Sequence, residues 1–329
     1  MVSDQLLEDL QALGHLPPEQ AEAIRHDERT RPFSLHQELR AALYLGITLL
    51  TGGLGVLLYQ HLDEIGHGVI VGSMALLMLL GFGYAARHRQ PFTWAQTVPV
   101  SFVPDYALLL GCLLFLALET YLQVQYNLFG SRYGLATILP AVLFFILAYR
   151  FDHRGVLAMG ITALASWVGV SIAPLSAFTD NNFLTSQLGG AAVLLGLLLT
   201  GLGLDADFNR RKAHFAFTYI SLGANLALLA ATAALFDFYP QRFLPKGLVV
   251  PLVLALSGGL VWYARRTHSY VFLLMGVLYG YITFTYLFFS LLEVGNGETG
   301  ALLVTLYFSL SAVGVIMLFL HGKKFLHRS

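Results

Sequence analysis

The chain has 329 residues, of which 57% are hydrophobic and 12% are charged, and its mean hydropathy is +0.68. Soluble domains typically carry about a quarter charged residues, so this composition indicates a membrane protein. The net charge of zero argues against a nucleic-acid partner, and the single Cys112 excludes both an intramolecular disulfide and a cysteine-rich metal site.

Residues 1–37 form a short acidic segment that we predict to be a cytoplasmic helical pair. Leucines recur at helical spacing before Gly14, and "LPPEQAEAIRHDE" starts a second helix with a proline near its first turn. This segment is either an anchor that lies on the bilayer or on the loops, or a docking module for a soluble cytoplasmic protein. We expect no cleavable secretory signal, because no apolar stretch follows a basic segment there.

Residues 38–329 contain ten continuously apolar runs, which predict an all-α, multi-pass transmembrane domain. Each run reaches or approaches the roughly 20 residues that a helix needs to cross the hydrocarbon core. Barrel strands are excluded because they alternate apolar and polar residues in segments of about ten. The predicted spans are 38–59, 67–86, 104–124, 133–151, 155–174, 186–204, 214–235, 247–264, 268–292 and 299–321.

Lys and Arg residues are distributed unequally between the two sets of connections. If the N-terminus is cytoplasmic, sixteen of the nineteen lie on the cytoplasmic side, and only Arg132, Arg242 and Lys246 lie on the other. Because positively charged loops stay inside, both termini are predicted to be cytoplasmic, which agrees with an even number of spans.

The first outer connection, "YQHLDEIGHG", concentrates polar residues between two apolar runs. A zinc protease needs two His four residues apart on one helix with a Glu between them. Here the order is His61, Asp63, Glu64, His67, and the two His are six residues apart. We interpret the stretch as a solvated turn, with a weak divalent-ion or proton-sensing site as the alternative, and we predict neither a resident metal nor a cofactor.

Glu119 is an acidic residue well inside the third predicted span. A charge at the centre of a bilayer costs about 2.5–3.5 kcal/mol on insertion scales, so this side chain must avoid lipid. It shares one helical face with other polar residues, at steps of four and seven: Asp105, Cys112, Gln123 and Tyr126. Either a neutral, hydrogen-bonded Glu119 ties helices together, or Glu119 acts in binding or proton movement.

Two further spans carry polar stripes of the same kind. The seventh has Thr218, Ser221, Asn225 and Thr232 on one face, and the ninth has Tyr279, Thr283, Tyr286, Ser290 and Glu293. Such residues either form packing seams between helices or line one cavity. The predicted cavity contains Glu119, Gln123, Asn225, Thr283, Tyr286 and Glu293 and opens toward the outer side.

Spans 1–4 and 7–10 align in a way that suggests a parallel internal repeat. The stretch 68–87 matches 247–266 without a gap, and 108–122 resembles 272–287 when Gly111 is set on Gly276. An offset of six spans preserves orientation, so the repeat axis would run along the membrane normal, as in parallel-repeat transporters.

The first 150 residues resemble a family of uncharacterised bacterial predicted membrane proteins, a domain of unknown function. The resemblance lies in the turn "GHLPPEQA" (14–21), the Gly-rich first span and the outer loop after it. That loop in the family has a Trp-Asp motif, whereas this chain has His61-Leu62-Asp63, so only Asp63 corresponds. The resemblance implies a bacterial inner-membrane location and carries no activity.

Two functional classes follow from these patterns. The first is transport of a small solute or lipid fragment through a polar cavity between two helical repeats. The second is a non-catalytic scaffold or sensor that acts through residues 1–37. We do not expect an enzyme, because the sequence shows no nucleophile with a base, no phosphate-binding loop and no ligand cluster.

Overall fold

The computed structural model describes residues 66–97, 102–130, 132–172, 186–236, 244–291 and 298–327, with residues 11, 17, 18, 20–22, 49, 53, 56 and 238. The chain divides into two compact units, Met1–Ile70 and Val71–Ser329. In the first unit, the carbonyl of Pro17 accepts backbone hydrogen bonds from Gln20 and Ala21 at 3.1 Å. A helix therefore starts here as predicted, while the rest of the helical pair and its boundary at residue 37 lie outside the described residues.

Within the described residues, the chain from His67 onward is entirely helical, apart from turns and connections. A short 3-10 helix, Ala213–Phe215, leads into the sixth of the following helices. The α-helices are α1 (His67–Arg87), α2 (Val103–Tyr126), α3 (Leu135–Phe151), α4 (Arg154–Ile172), α5 (Ser186–Phe208), α6 (Ala216–Leu235), α7 (Lys246–Thr267), α8 (Tyr270–Leu291) and α9 (Glu298–His327).

The helix bounds correspond to the predicted spans from the second to the tenth. Seven helices are long and apolar enough to cross a membrane: α1, α2, α4, α5, α6 with its 3-10 turn, α7 and α8. Two apolar stretches are shorter, namely α3 and residues Gly300–Gly314 of α9. The first predicted span, 38–59, lies almost wholly outside the described residues, so the total of ten spans stays a prediction.

Helix α6 lies at the centre of the second unit. It is far more buried than any other candidate span. Its Ala224 and Leu228 belong to a hydrophobic cluster formed with α5, α7 and α8. Its Tyr219 belongs to a second cluster, which includes Phe144 of α3 and Leu157 of α4. Because α6 contributes to both clusters, it joins the two halves of the helical unit.

Glycines allow α5 and α6 to approach closely. A Cβ atom on Gly196 would lie 2.5 Å from the carbonyl oxygen of Gly223, and one on Gly223 would lie 2.8 Å from the carbonyl oxygen of Gly196. The hydroxyl of Thr200, one turn after Gly196, donates to the Gly196 carbonyl at 2.7 Å. The sixth predicted span carries Ala192, Gly196 and Thr200 at four-residue steps, a pattern that predicts a helix-packing surface, and these contacts confirm it for Gly196 and Thr200.

A glycine on the second helix lies close to the first helix in both the α1–α2 pair and the α7–α8 pair, and the repeat alignment places these two glycines at the same position. A Cβ on Gly111 of α2 would lie 2.7 Å from the ring of Phe82 on α1, and a Cβ on Gly276 of α8 would lie 2.8 Å from Cγ2 of Val261 on α7. The ungapped alignment places Phe82 opposite Val261. One of the closest neighbours of Gly276 thus corresponds to the neighbour of Gly111, while the Ser257 carbonyl oxygen at 2.7 Å from Gly276 has no counterpart there, and the repeat stays a prediction.

Four connections between helices meet at one end of the unit, which we call the basic face. They are residues 88–97, 152–153, 209–212 and 268–269. The backbone N–H of Lys212 donates to the Trp94 carbonyl at 2.8 Å, and the Arg266 guanidinium lies 4.5 Å from the centre of the Phe208 ring. Nine of the nineteen basic residues lie in these connections or beside them: Arg87, Arg89, Arg150, Arg154, Arg210, Arg211, Lys212, Arg265 and Arg266.

Candidate functional site

Glu119 lies on α2 toward the end opposite the basic face. It follows Val103 by 16 residues, which corresponds to about 24 Å along an α-helix. The side chain is 8% exposed, and among the described residues Oε1 has no hydrogen-bond partner. Along the predicted stripe, Asp105 is half-buried, Cys112 belongs to the core, and Tyr126 near the helix end is exposed.

Gln123, one turn after Glu119, organises the loop that follows α2. Its Nε2 donates to Oδ1 of Asn127 at 3.2 Å and to the carbonyl of Gly130 at 3.3 Å. Its Oε1 accepts the backbone N–H of Phe129 at 2.8 Å. Asn127 ends the helix in the left-handed conformation, with φ of 50°. Both ends of the Gln123 amide therefore bond to the loop. Oε1 of Glu119, by contrast, is an acceptor without a hydrogen-bond partner among the described residues.

Glu119 and Gln123 line a pocket of about 410 Å³ between α2 and α3. Its other polar lining residues are Thr120, Asn127, Tyr133 and Thr137. The hydroxyl of Thr137 donates to the Gly134 carbonyl at 3.1 Å, so the start of α3 satisfies it. Among the polar residues that line this pocket, Glu119 is the one with a buried oxygen that has no hydrogen-bond partner within the described part of the chain. We call it the Glu119 pocket.

The stripes of the seventh and ninth predicted spans meet each other at a different place. The Tyr279 hydroxyl of α8 donates to Oδ1 of Asn225 on α6 at 2.6 Å. Thr283 is fully buried and donates to the Tyr279 carbonyl of its own helix at 2.9 Å. The Tyr286 ring packs edge-on against Phe236 at 5.6 Å between centroids. These contacts have the character of a packing seam between α6 and α8.

The structure thus brings some of the six predicted cavity residues together and separates others. Glu119 and Gln123 line one pocket, and Asn225, Thr283 and Tyr286 do not line it. Glu293 lies outside the described residues. A larger pocket of about 720 Å³ lies between α4, α5, α6 and α8, and its lining is almost wholly apolar. Two polar stripe residues, Thr232 and Tyr279, contribute to this apolar pocket.

The polar stretch after the first span is described only at its end. His61, Asp63 and Glu64 lie outside the described residues. His67 is the first residue of α1, and Gly66 before it has φ of 81°, in the left-handed region that favours glycine. The interpretation of this loop as a solvated turn, and the alternative ion or proton site, stay predictions.

A buried ionic cluster at the basic face was not predicted from the sequence. Nζ of Lys212 lies 2.7 Å from Oδ1 of Asp152, and the two side chains are 2% and 5% exposed. The other carboxylate oxygen, Oδ2, accepts the backbone N–H of Thr97 at 2.7 Å and its hydroxyl at 2.9 Å. Asp152 therefore connects the α1–α2 connection to the segment before α6. We call Asp152, Lys212, His214 and Thr97 the ionic clasp.

His214 completes the clasp from the 3-10 helix. Its Nε2 lies 2.7 Å from the same Asp152 oxygen, and its side chain is 5% exposed. The contact has the distance of an ion pair, but the ring is not aligned for a hydrogen bond, and neither ring nitrogen has a hydrogen-bond partner among the described residues. One carboxylate thus faces two basic side chains, with two donors from Thr97 at its other oxygen.

The clasp shifts the titration of the residues between α3 and α4. Burial alone would raise the pKa of Asp152, but hydrogen bonds from Lys212 and Thr97, with the charge of His214, outweigh it and hold this pKa below its ordinary value. Burial lowers the pKa of the adjacent His153, and the nearby charge of Asp105 opposes that effect only in part. The folded protein therefore favours ionised Asp152 and neutral His153.

The polar stretch "DADFNRRK" (205–212) between two apolar runs predicts a solvated connection, and this prediction is wrong for its last residue. Arg210 and Arg211 are exposed as expected, but Lys212 is 1% exposed. Its partner Asp152 is sixty residues away in sequence, so no local spacing pairs them. The available signal was weak: Asp152 is an isolated acid among the basic residues Arg150 and Arg154.

Residues 8–157 match the profile of a family described as "Predicted membrane protein (DUF2157)". The chain resembles this family over fewer than half of its 329 residues. The match to DUF2157 supports an uncharacterised membrane-protein domain, as the resemblance implied. It includes Glu119 and Asp152, whereas Lys212 and His214 lie beyond it. No curated protein and no solved structure matches the chain.

Proposed function

We propose that this multi-pass membrane protein transports a small cationic solute, and that Glu119 selects it. The observation that carries the proposal is Glu119, which lines a pocket of about 410 Å³ and whose buried Oε1 has no hydrogen-bond partner among the described residues. A buried polar atom without a partner costs about 1–3 kcal/mol, which a bound donor removes. The complementary ligand is therefore a hydrogen-bond donor with positive charge, or a proton.

The size and lining of the pocket restrict the chemical class of the solute. The remaining polar side chains offer hydroxyl and amide oxygens, so an ammonium or alkylammonium group finds several acceptors besides Glu119. Intramembrane acids that line cavities are characteristic of ion and proton pathways. On this proposal the protein is not an enzyme. It binds the cationic solute selectively and moves it across the membrane.

The proposed setting is a bacterial inner membrane with both termini in the cytoplasm. The basic face then lies on the cytoplasmic side, and the Glu119 pocket lies toward the outer side. Reporter fusions after Lys324 and within 176–184 are expected to lie on opposite sides of the membrane. Fusions that report the same side would contradict this arrangement, whatever the solute.

Uptake into proteoliposomes tests the solute assignment. Methylammonium serves as the labelled solute, and a trapped pH-sensitive dye reports proton movement. Glu119→Gln keeps the shape of the side chain and removes its charge, so at least one of the two fluxes should fall about tenfold or more while expression and helix content stay constant. Asp205→Asn is the matched control, because this acid is exposed at the basic face. Fluxes unchanged by Glu119→Gln would overturn the proposal.

Lipid-related transport is the second candidate, and the apolar pocket of about 720 Å³ favours it. A pocket with this lining in a membrane protein suits an acyl or isoprenoid chain rather than a polar solute. Ala192→Phe should fill the pocket and reduce capture of a photoreactive fatty acid, with methylammonium uptake unchanged. If capture is unaffected, the apolar pocket has no such role.

A further inference from the structure

A second polar pocket lies at the basic face, about 270 Å³ in volume. It lies where α1 and α3 end and α2 begins, at the level at which apolar helices give way to polar connections. Its lining includes three basic and two acidic residues and one histidine: Arg89, Arg150, Lys212, Asp105, Asp152 and His88. We call it the basic-face pocket, and it does not share a lining residue with the Glu119 pocket.

The charges of this pocket are not balanced internally. Lys212 is neutralised by Asp152 at 2.7 Å within the ionic clasp. The half-buried Arg150 donates from Nη1 to the Gln90 carbonyl at 3.3 Å, and this bond leaves its other donors available. Among the described residues, neither Arg150 nor Arg89 forms an ion pair with a carboxylate. Two guanidinium groups therefore face the same space with a single acid, Asp105, left to oppose them.

We propose that the basic-face pocket binds a phosphate group, held between Arg89 and Arg150. A guanidinium presents planar pairs of N–H donors that match two phosphate oxygens, and it retains its charge at every physiological pH. The ionic clasp fixes the pocket wall, because Asp152 holds the 88–97 connection through Thr97. The pocket lies at the boundary of the membrane, so both a phospholipid headgroup and a soluble phosphate compound reach it.

Basic residues at this face also orient the chain during insertion, and that role requires charge alone. Arg265 and Arg266 at the end of α7 carry the same charge and lie outside the basic-face pocket. They are therefore matched controls for Arg89 and Arg150. Orientation is expected to tolerate either pair of substitutions, whereas phosphate binding depends on the pocket pair only.

Calorimetric titration of the purified full-length protein in detergent tests the site. The probes are inorganic phosphate, dihexanoylphosphatidylglycerol and the phosphate-free dihexanoylglycerol. At least one phosphate probe should bind, and the Arg89→Gln and Arg150→Gln double variant should bind it at least about tenfold more weakly, equivalent to about 1.4 kcal/mol. The Arg265→Gln and Arg266→Gln double variant should bind like the unmodified protein.

A substitution that should strengthen phosphate binding distinguishes a specific effect on the pocket from a general loss of structure. Asp105→Asn removes the acid that opposes the two arginines and should tighten phosphate binding severalfold. Asp205→Asn removes an exposed acid outside the pocket and should leave binding unchanged. Tighter binding of the lipid than of inorganic phosphate identifies a headgroup site, and equal binding identifies a soluble phosphate site. No binding of either phosphate probe, or equal losses in the two arginine double variants, overturns the proposal.

Discussion

Removing Asp152 is expected to destabilise the protein more than removing its partner Lys212. Asp152→Asn leaves the Lys212 ammonium, which is 1% exposed, without a counter-charge. The introduced amide has one acceptor oxygen, so it cannot serve both Lys212 and the two Thr97 donors that now share the carboxylate. Breaking a buried pair in this way costs about 3–5 kcal/mol.

Lys212→Met has a smaller predicted cost, of about 1–2 kcal/mol, because the carboxylate keeps its other partners. Oδ2 of Asp152 still accepts both Thr97 donors, and Oδ1 still faces His214 at 2.7 Å. In the double variant no lone lysine charge is buried, so its cost should be less than the sum of the single costs. The coupling between the two residues is then favourable and of the order of 1–3 kcal/mol.

Denaturant unfolding in detergent micelles measures these differences, followed by circular dichroism and tryptophan fluorescence. Trp94 is a local reporter, because its carbonyl accepts the Lys212 backbone N–H. Arg210→Met is the control, since this exposed neighbour should change stability by less than about 0.5 kcal/mol. Equal losses from Asp152→Asn and Lys212→Met, or strict additivity in the double variant, would refute the reasoning.

Three further outcomes are expected. Gly196→Ala should destabilise the α5–α6 pair by about 1–3 kcal/mol, because the new methyl group meets backbone atoms at 2.5–2.6 Å, while Gly201→Ala, with nothing within 4 Å, should not destabilise it. The unfolding midpoint should fall on acidification in two stages. The first begins near pH 6.5, because burial lowers the pKa values of His153 and His214, and both therefore resist protonation in the folded state. The second lies below pH 3.8, is due to the lowered pKa of Asp152, and should be absent from Asp152→Asn. Deletion of residues 1–31 should leave membrane insertion intact in a fractionation assay, because later loops carry most of the orienting charge, and loss of insertion would contradict this.

Helix positions were predictable because apolar runs and their polar boundaries are local properties of the chain. The described helices from α1 to α9 follow the predicted spans, and the glycine contacts of α5 followed from small residues at helical spacing. The single polar cavity was a different kind of prediction, since periodicity assigns a residue to a helix face but does not specify the neighbour of that face. Glu119 and Asn225 were both placed on polar faces, and the structure gives each face a different neighbour.

The ionic clasp was beyond sequence reasoning for a related physical reason. A buried pair depends on which connections meet in space, and Asp152 and Lys212 are sixty residues apart. The rule that basic loops stay cytoplasmic treats every lysine as a solvated charge. It therefore predicts the exposure of Arg210 and Arg211 correctly and does not predict the burial of Lys212.

The burial of Lys212 in the folded protein implies that this residue has different surroundings before and after folding. In the proposed topology, this lysine is one of the cationic residues that hold its loop in the cytoplasm while the chain is still being inserted. Thr97 and Asp152 precede it in the chain, so its binding partners have already emerged from the ribosome when it appears. Once these partners close around it, the ammonium no longer belongs to the aqueous loop. The buried ion pair between Lys212 and Asp152 thereby makes the orientation of the first helices and that of α6 depend on each other.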